Sequence, residues 1–260
     1  MTGRVRYGPR SDEDRKRTED ARASAPMVWL EALTAIWETD PDAVAAVLPP
    51  PLQPSERPLV RATVTRVDMA GYVFGAGYFA VAANHEGRPG EYPLVMPMTS
   101  ERAVIGGREV YGEPKKIGEV VLEVDGEHVS GTMSRHGITF VELRGRLAER
   151  LDPPPERTKT DFYFKLLPAP DGKGFDAEPS LVYCYKTERA RTLTRVEGEV
   201  VLRDSDFDPV ADLPVVRLVE MHHGERQTDQ RGEIVSRVPA EWLAPFVHQR
   251  YDDPLQAFDR

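Results

Sequence analysis

The chain has 260 residues, of which 40% are hydrophobic, and it carries a formal net charge of −9. This length can bury a substantial core, and the acidic surface repels the phosphates of nucleic acids and anionic lipids. The single cysteine, Cys184, excludes an internal disulfide, and no apolar N-terminal run predicts a signal peptide or membrane span. We therefore expect a cytoplasmic protein with neither a nucleic-acid nor a membrane partner.

The beginning of the chain predicts an arm followed by one domain. Residues 1–25 are dense in charge and almost devoid of large apolar side chains, which is typical of a mobile or loosely docked arm. Residues 26–260 are expected to form a single domain. Within it, residues 39–41 read Thr-Asp-Pro and predict the start of a short helix over 42–48.

Strand-like runs dominate the rest of the chain. They alternate in polarity or are rich in β-branched and aromatic residues, and they cover 59–66, 71–83, 120–124, 128–133, 138–147, 162–167, 181–185 and 199–202. Asp125-Gly126 predicts a hairpin that extends into a three-stranded meander. Since no long helix separates these runs, we expect a mainly antiparallel β fold with a few short helices. Closure into a barrel-like β cone would enclose a buried pocket.

Lys115 and Lys116 stand side by side in a chain that has only 7 Lys against 27 Arg. An amine can lose its proton and attack a carbonyl carbon to form a Schiff base, whereas a guanidinium cannot. A lysine with a pKa near 10.4 is neutral in only about one molecule in 2,500 at pH 7. Burial against apolar walls and a neighbouring cation would both lower that pKa. The alternative is a solvated loop with two surface cations.

The segment around the lysines resembles a known active site. Residues 107–118 read GREVYGEPKKIG and are similar to the active-site segment of the acetoacetate decarboxylase family, and the similarity extends over roughly residues 29–225. The resemblance implies an antiparallel β cone or barrel around a buried pocket, with Lys115 as the nucleophile of a Schiff-base lyase acting on a small keto acid. We expect no cofactor and no metal ion, and we expect a homo-oligomer.

Departures from the family pattern bear on the reaction. Decarboxylating members carry acidic residues where this chain has Ala76 and Thr63, and an arginine near the position of Leu30. Glu113 instead replaces a neutral residue two positions before Lys115. These changes favour aldol condensation, retro-aldol cleavage or dehydration over decarboxylation of acetoacetate, although decarboxylation of another keto acid stays open.

The predicted catalytic residues are Lys115 as nucleophile, Lys116 as the cation that lowers its pKa, and Glu113 as general acid or base. Glu113 could equally be a solvated loop carboxylate or form an ion pair with Lys116. The predicted substrate-binding residues are Arg102, Tyr72, Tyr78, Met98 and Glu109. For Glu109 an ion pair with Arg108 is the alternative, and for the tyrosines the alternative is the core. A rival function from another class is a non-catalytic small-ligand-binding protein that retains the barrel.

Overall fold

The computed structural model describes residues 5–24, 27–69 and 71–252. Within these residues the helices are α1 (Asp12–Ala23), α2 (Pro41–Val47), α3 (Glu101–Val110), α4 (Ala240–Leu243) and α5 (Val247–Arg250). The strands are β1 (Leu30–Glu38), β2 (Gln53–Pro54), β3 (Leu59–Met69), β4 (Tyr72–His85), β5 (Arg88–Met98), β6 (Lys115–Ile117), β7 (Glu119–Asp125), β8 (His128–Arg135), β9 (Ile138–Leu151), β10 (Arg157–Lys165), β11 (Ser180–Leu202) and β12 (Arg217–Arg237). None of the helices in the described part of the chain is long and apolar enough to cross a membrane.

Seven strands close into a ring. They are hydrogen-bonded in the order β10, β5, β4, β3, β1, β12 and β11, and a further pairing of β10 with β11 closes the circle. The pairings are antiparallel except for β5, which runs parallel to both β10 and β6. The prediction of a mainly antiparallel, closed β fold with few short helices is confirmed. The two parallel contacts were not predicted.

A meander of β7, β8 and β9 extends the sheet from β11 and folds over the outside of the ring. The hairpin predicted at Asp125-Gly126 joins β7 to β8, with Asp125 opposite His128. β7 lies so close to β4 that a Cβ atom on Gly75 would stand 2.1 Å from the carbonyl oxygen of Val120. Gly75 is therefore required by the approach of a second backbone.

The two faces of the ring differ in chemistry. Outward-facing side chains such as Leu33, Trp37 and Phe79 form one apolar core together with Phe140 and Leu143 of the meander. The inward-facing side chains form what we call the ring interior. Its polar members include Arg61, Tyr78, Glu91, Asp161, Lys186, Glu188 and Gln230. The ammonium of Lys186 on β11 lies 4.9 Å from the ring centre of Tyr78 on β4, although these strands are not neighbours. The interior is thus crossed by polar contacts.

Several local predictions can be compared with these elements. Asp40 caps α2, accepting a hydrogen bond from the backbone nitrogen of Asp42 at 2.8 Å, so the predicted short helix is confirmed. The runs 181–185 and 199–202 belong to one long strand, β11. β12 was not predicted, and it contains the adjacent histidines His222 and His223.

The predicted arm contains α1, whose helical form was not anticipated. Residues 1–4 and 25 of the arm, and residues 26, 70 and 253–260 of the predicted domain, lie outside the described residues. The division into a mobile arm and a single domain stays a prediction.

Candidate active site

The lysine doublet lies on β6, a three-residue strand that pairs with Met96–Met98 of β5. α3 leads into this strand. The helix begins at Ser100, whose hydroxyl accepts a hydrogen bond from the backbone nitrogen of Ala103, and it ends before Gly112, which has a φ of 82°. Because successive strand residues point to opposite faces, Lys115 and Lys116 enter different surroundings.

Lys115 enters the ring interior and contacts Glu113. Its Nζ atom lies 2.7 Å from Oε2 of Glu113, whose side chain is 1% exposed. Gln230 on β12 donates a hydrogen bond of 2.8 Å to the other carboxylate oxygen. Burial alone would raise the pKa of Glu113, but Lys115 and then Lys186 outweigh it, so that pKa stands below its ordinary value. Glu113 is therefore an ionised carboxylate that can accept a proton.

Gly107 of α3 makes room for this pair. A Cβ atom at position 107 would stand 2.0 Å from Oε2 of Glu113 and 2.8 Å from Nζ of Lys115. Any larger residue would occupy the space that the two side chains use. The helix therefore covers the ammonium–carboxylate contact at a distance that only glycine permits.

A second ion pair lies deeper in the ring interior. Nζ of Lys186 is 2.5 Å from Oδ2 of Asp161, which is 0% exposed, and donates a hydrogen bond of 3.1 Å to the hydroxyl of Tyr163. Burial lowers the pKa of Lys186, but Asp161 and Glu113 reverse that effect, and the pKa is raised. Burial also raises the pKa of the neighbouring Cys184 thiol to about 12, so this thiol is not a nucleophile at neutral pH.

Lys186, Asp161 and Gln230 were missed in the sequence. A signal was present, because Asp161 and Lys186 each extend a strongly apolar run, in strands β10 and β11 respectively. A charged residue beside such a run is unusual unless it has a buried partner. The sequence did not show which residue that partner was.

Lys116 faces the other way. Its Nζ atom lies 3.1 Å from Asp208 and 3.0 Å from Asp252, and Arg135 contacts the same two carboxylates at 2.7 and 2.6 Å. This network ties β6 to the segment that follows α5. The cation that acts on Glu113 besides Lys115 is Lys186. The expectation that Lys116 stands beside the reacting amine is thus corrected by the alternation of the strand.

The predicted substrate-binding residues separate into two groups. Met98 is buried in a cluster with Tyr163 and Cys184, and Tyr78 packs against this cluster, so both border the ring interior. Arg102 and Glu109 are exposed on α3. Tyr72 is also exposed, and its hydroxyl hydrogen-bonds Ser100 at 2.9 Å. The structure does not bring these three side chains to the amine of Lys115.

Arg108 supports the strand that carries the amine. It donates a hydrogen bond of 2.9 Å to the carbonyl oxygen of Lys115 and stacks on the ring of Tyr251. The suggested ion pair of Arg108 with Glu109 is therefore replaced by a contact that fixes the backbone of β6.

Comparison with known proteins agrees with this geometry. A family model described as "Acetoacetate decarboxylase (ADC)" matches residues 12–238. The chain belongs to the acetoacetate decarboxylase family. Acetoacetate decarboxylase of Burkholderia cenocepacia (strain HI2424) is 31% identical over 200 residues, which are 74% of this chain and 80% of that protein.

Solved structures share the fold of this acetoacetate decarboxylase family member. The acetoacetate decarboxylase of Legionella pneumophila aligns with a TM-score of 0.72 and 22% identity over 81% of this chain and 86% of that one. The enduracididine biosynthesis enzyme MppR, complexed with the condensation product of pyruvate and imidazole 4-carboxaldehyde, aligns with a TM-score of 0.65 and 19% identity over 82% and 90%. The chain is an acetoacetate decarboxylase-like lyase.

Proposed function

We propose that this lyase forms a Schiff base between Lys115 and a small keto acid. The observation that carries the proposal is the 2.7 Å contact of the Lys115 amine with the ionised Glu113 inside the ring. An amine poised for attack needs a base that removes its proton. In this chain the base is in direct contact with the nucleophile.

The first step is a proton transfer within the pair. The Lys115 ammonium gives a proton to Glu113, which leaves a neutral amine beside a neutral carboxylic acid. The amine then attacks the carbonyl carbon of the keto acid, and the carbinolamine that forms loses water to become an iminium. Glu113 can return its proton to the departing hydroxyl, so that it acts first as base and then as acid.

The iminium determines which chemistry follows. Its positive nitrogen accepts an electron pair from a neighbouring C–C or C–H bond, so that carbon dioxide, an aldehyde or a proton leaves and an enamine remains. The interior residues Thr63 and Ala76 stand where the resemblance implied acids in decarboxylating members. The hydroxyl of Thr63 hydrogen-bonds Thr34 at 3.0 Å and supplies no carboxylate. This favours aldol-type cleavage, condensation or dehydration over decarboxylation of acetoacetate.

Borohydride reduction tests the proposal. Incubation with a panel of keto acids and borohydride should add the reduced substrate to Lys115, located by peptide mass spectrometry. Lys115→Arg should abolish the adduct because it retains the charge but not the nucleophile, whereas Lys173→Arg in an exposed loop should change nothing. An unmodified wild-type protein across the panel would contradict the proposal and favour a ligand-binding protein.

The reaction type needs a separate measurement. Carbon dioxide release from acetoacetate should be slow, while, in the absence of borohydride, the α-protons of a bound keto acid should exchange with solvent deuterium. Rapid acetoacetate decarboxylation by the wild type would overturn the preference for aldol-type chemistry and leave the Schiff base intact. The homo-oligomeric state and the cytoplasmic location predicted from the sequence are part of the same proposal, and light scattering of the purified chain tests the former.

A further inference from the structure

The ring interior contains a cavity that is separate from the lysine site. Arg226 and Gln230 both lie on β12, and an even spacing places them on the same face, about 13 Å apart along the strand. Gln230 contacts Glu113, whereas Arg226 lines a cavity of about 60 Å³ together with His222, Arg157, Glu188 and Thr34. This volume would hold roughly four water molecules, which is enough for a carboxylate group.

The cations that line this cavity, Arg157 and Arg226, and those beside it, Lys159 and Arg61, are incompletely neutralised. Glu188 is shared by three of them, with nitrogen–oxygen distances of 3.2 Å to Lys159, 3.7 Å to Arg157 and 3.8 Å to Arg226. Burial alone would raise the pKa of Glu188, but Lys159, Arg226 and Arg61 lower it to about 2. The ionised carboxylate of Glu188 is therefore shared by three cations, and two of them, Arg157 and Arg226, lie at the long distances of 3.7 and 3.8 Å.

The neighbouring charges do not remove the imbalance. Arg61 adds a fourth cation and is paired with Glu91 at 2.5 Å, while Lys159 shares that same carboxylate at 3.4 Å. The other carboxylate at the cavity, Glu225, is engaged by Arg191 at 2.5 Å. Counting the cavity and its immediate surroundings, four cations thus share two available carboxylates, Glu188 and Glu91.

Two donor groups at the cavity are available to an anion. Nε of Arg226 is buried and has no hydrogen-bond partner within the described residues. Burial, and then the charges of Arg226, Arg61 and Arg157, lower the pKa of His222 to about 4. His222 is therefore neutral near pH 7, and one of its ring nitrogens carries a proton to donate.

We propose that this cavity binds the carboxylate group of a small molecule, with Arg226 donating from Nε and Nη. A planar carboxylate matches the fork of a guanidinium and would neutralise part of the positive excess. The carboxylate can belong to a separate ligand or to the far end of a long keto acid whose carbonyl reaches Lys115. The first source is independent of the proposed function, and the second rests on it.

Calorimetric titration with malonate tests the site. The wild type should bind malonate saturably at low salt, and Arg226→Met should weaken binding by about 10- to 100-fold, as expected for charge-assisted hydrogen bonds. Ala190→Leu, which fills the cavity without changing charge, should weaken binding as well. Arg189 is an exposed residue on β11, next to Ala190, and its guanidinium pairs with Glu156. The control variant Arg189→Met should bind malonate as the wild type does.

The outcome is independent of the Schiff base. Lys115→Arg should bind malonate with wild-type affinity, so a failure of trapping leaves this test intact. The proposal is overturned if the wild type binds no malonate, or if folded Ala190→Leu and Arg226→Met bind it undiminished.

Borohydride trapping with two keto acids of equal chain length identifies the source of the carboxylate, because only 2-oxosuberate carries a second carboxylate at its far end. If Arg226→Met raises the half-saturating concentration of 2-oxosuberate but not of 2-oxooctanoate, the site holds the far end of the substrate. If neither changes while malonate binding is lost, the site serves a separate ligand.

Discussion

Replacing Gly107 with Ala should disable the amine while leaving the fold intact. Position 107 is in the middle of α3, where alanine is the better helix former by about 1 kcal/mol. The added Cβ atom, however, would stand 2.0 Å from the Glu113 carboxylate, 2.6 Å from Cδ and 2.8 Å from Nζ of Lys115. The substitution therefore acts on the two side chains of the proposed reaction.

The size of the effect follows from these distances. The optimal separation of non-bonded heavy atoms is about 3.5–4.0 Å, so the carboxylate must move by more than about 1 Å. A misplacement of about 1 Å can cost 10²-fold in rate, and overpacking costs about 1–3 kcal/mol of stability. We expect the rate of borohydride-trapped adduct formation to fall about 100-fold, with a modest net loss of stability.

Gly106 supplies a matched control in the same helix. A Cβ atom on Gly106 would meet nothing within 4 Å. Gly106→Ala should therefore increase the free energy of unfolding by about 1 kcal/mol and raise the Tm by about 2–4 °C for a chain of this size. Its trapping rate should equal that of the wild type. Single-turnover trapping and thermal unfolding of both variants measure these effects.

One result would refute the reasoning. If Gly107→Ala traps keto acids as fast as Gly106→Ala does, the contact between Glu113 and Lys115 is not needed in its present geometry. Glu113 would then lose its role as the base, although Lys115 could remain the nucleophile.

Two further predictions concern buried charge. Lys186→Met should lower the free energy of unfolding by about 3–5 kcal/mol because it leaves Asp161 ionised and unpaired in the interior. Urea unfolding should show that Lys186→Met/Asp161→Asn recovers much of this loss, and an equal loss in both variants would contradict the pairing. The pKa of His222 is about 4 in the fold and 6.5 ordinarily, so below pH 6.5 the unfolded chain binds the extra proton and stability falls towards pH 4. This amounts to about 2 kcal/mol between pH 7 and pH 5, and His222→Gln should remove it from the urea-unfolding profile, whereas an unchanged pH dependence would exclude His222 as its source.

Local signals in the sequence were sufficient for elements whose chemistry is contained in a few residues. Asp40 before Pro41 specified the start of α2, and Asp125-Gly126 specified the turn between β7 and β8. α3 was harder to predict, because Gly106 and Gly107 weaken a helical pattern. Gly107 is required by the contact with Glu113, which is a tertiary contact.

The site shows the same division between local and distant information. The two-residue spacing of Glu113 and Lys115 was visible, and the structure brings these side chains together. Strand alternation turns Lys116 away from Lys115, contrary to the expectation, and its partners, Asp208 and Asp252, could not be inferred from local pattern. Similarly, Lys186 and Gln230 reach the site only because β11 and β12 complete the ring. Pairing between distant strands leaves no short-range trace.

The late position of β12 in the chain sets the time at which the surroundings of Lys115 are completed during synthesis. β12 is the last strand within the described residues, yet it pairs with β1 and supplies Gln230 to Glu113. The partners of Lys116 follow it by 92 and 136 residues. At about 5–20 residues per second, a ribosome needs roughly 7–27 s to make the longer of these two stretches. Until then Lys115 lacks the completed ring around it, so the proposed reaction with a keto acid becomes possible only when the chain is nearly complete.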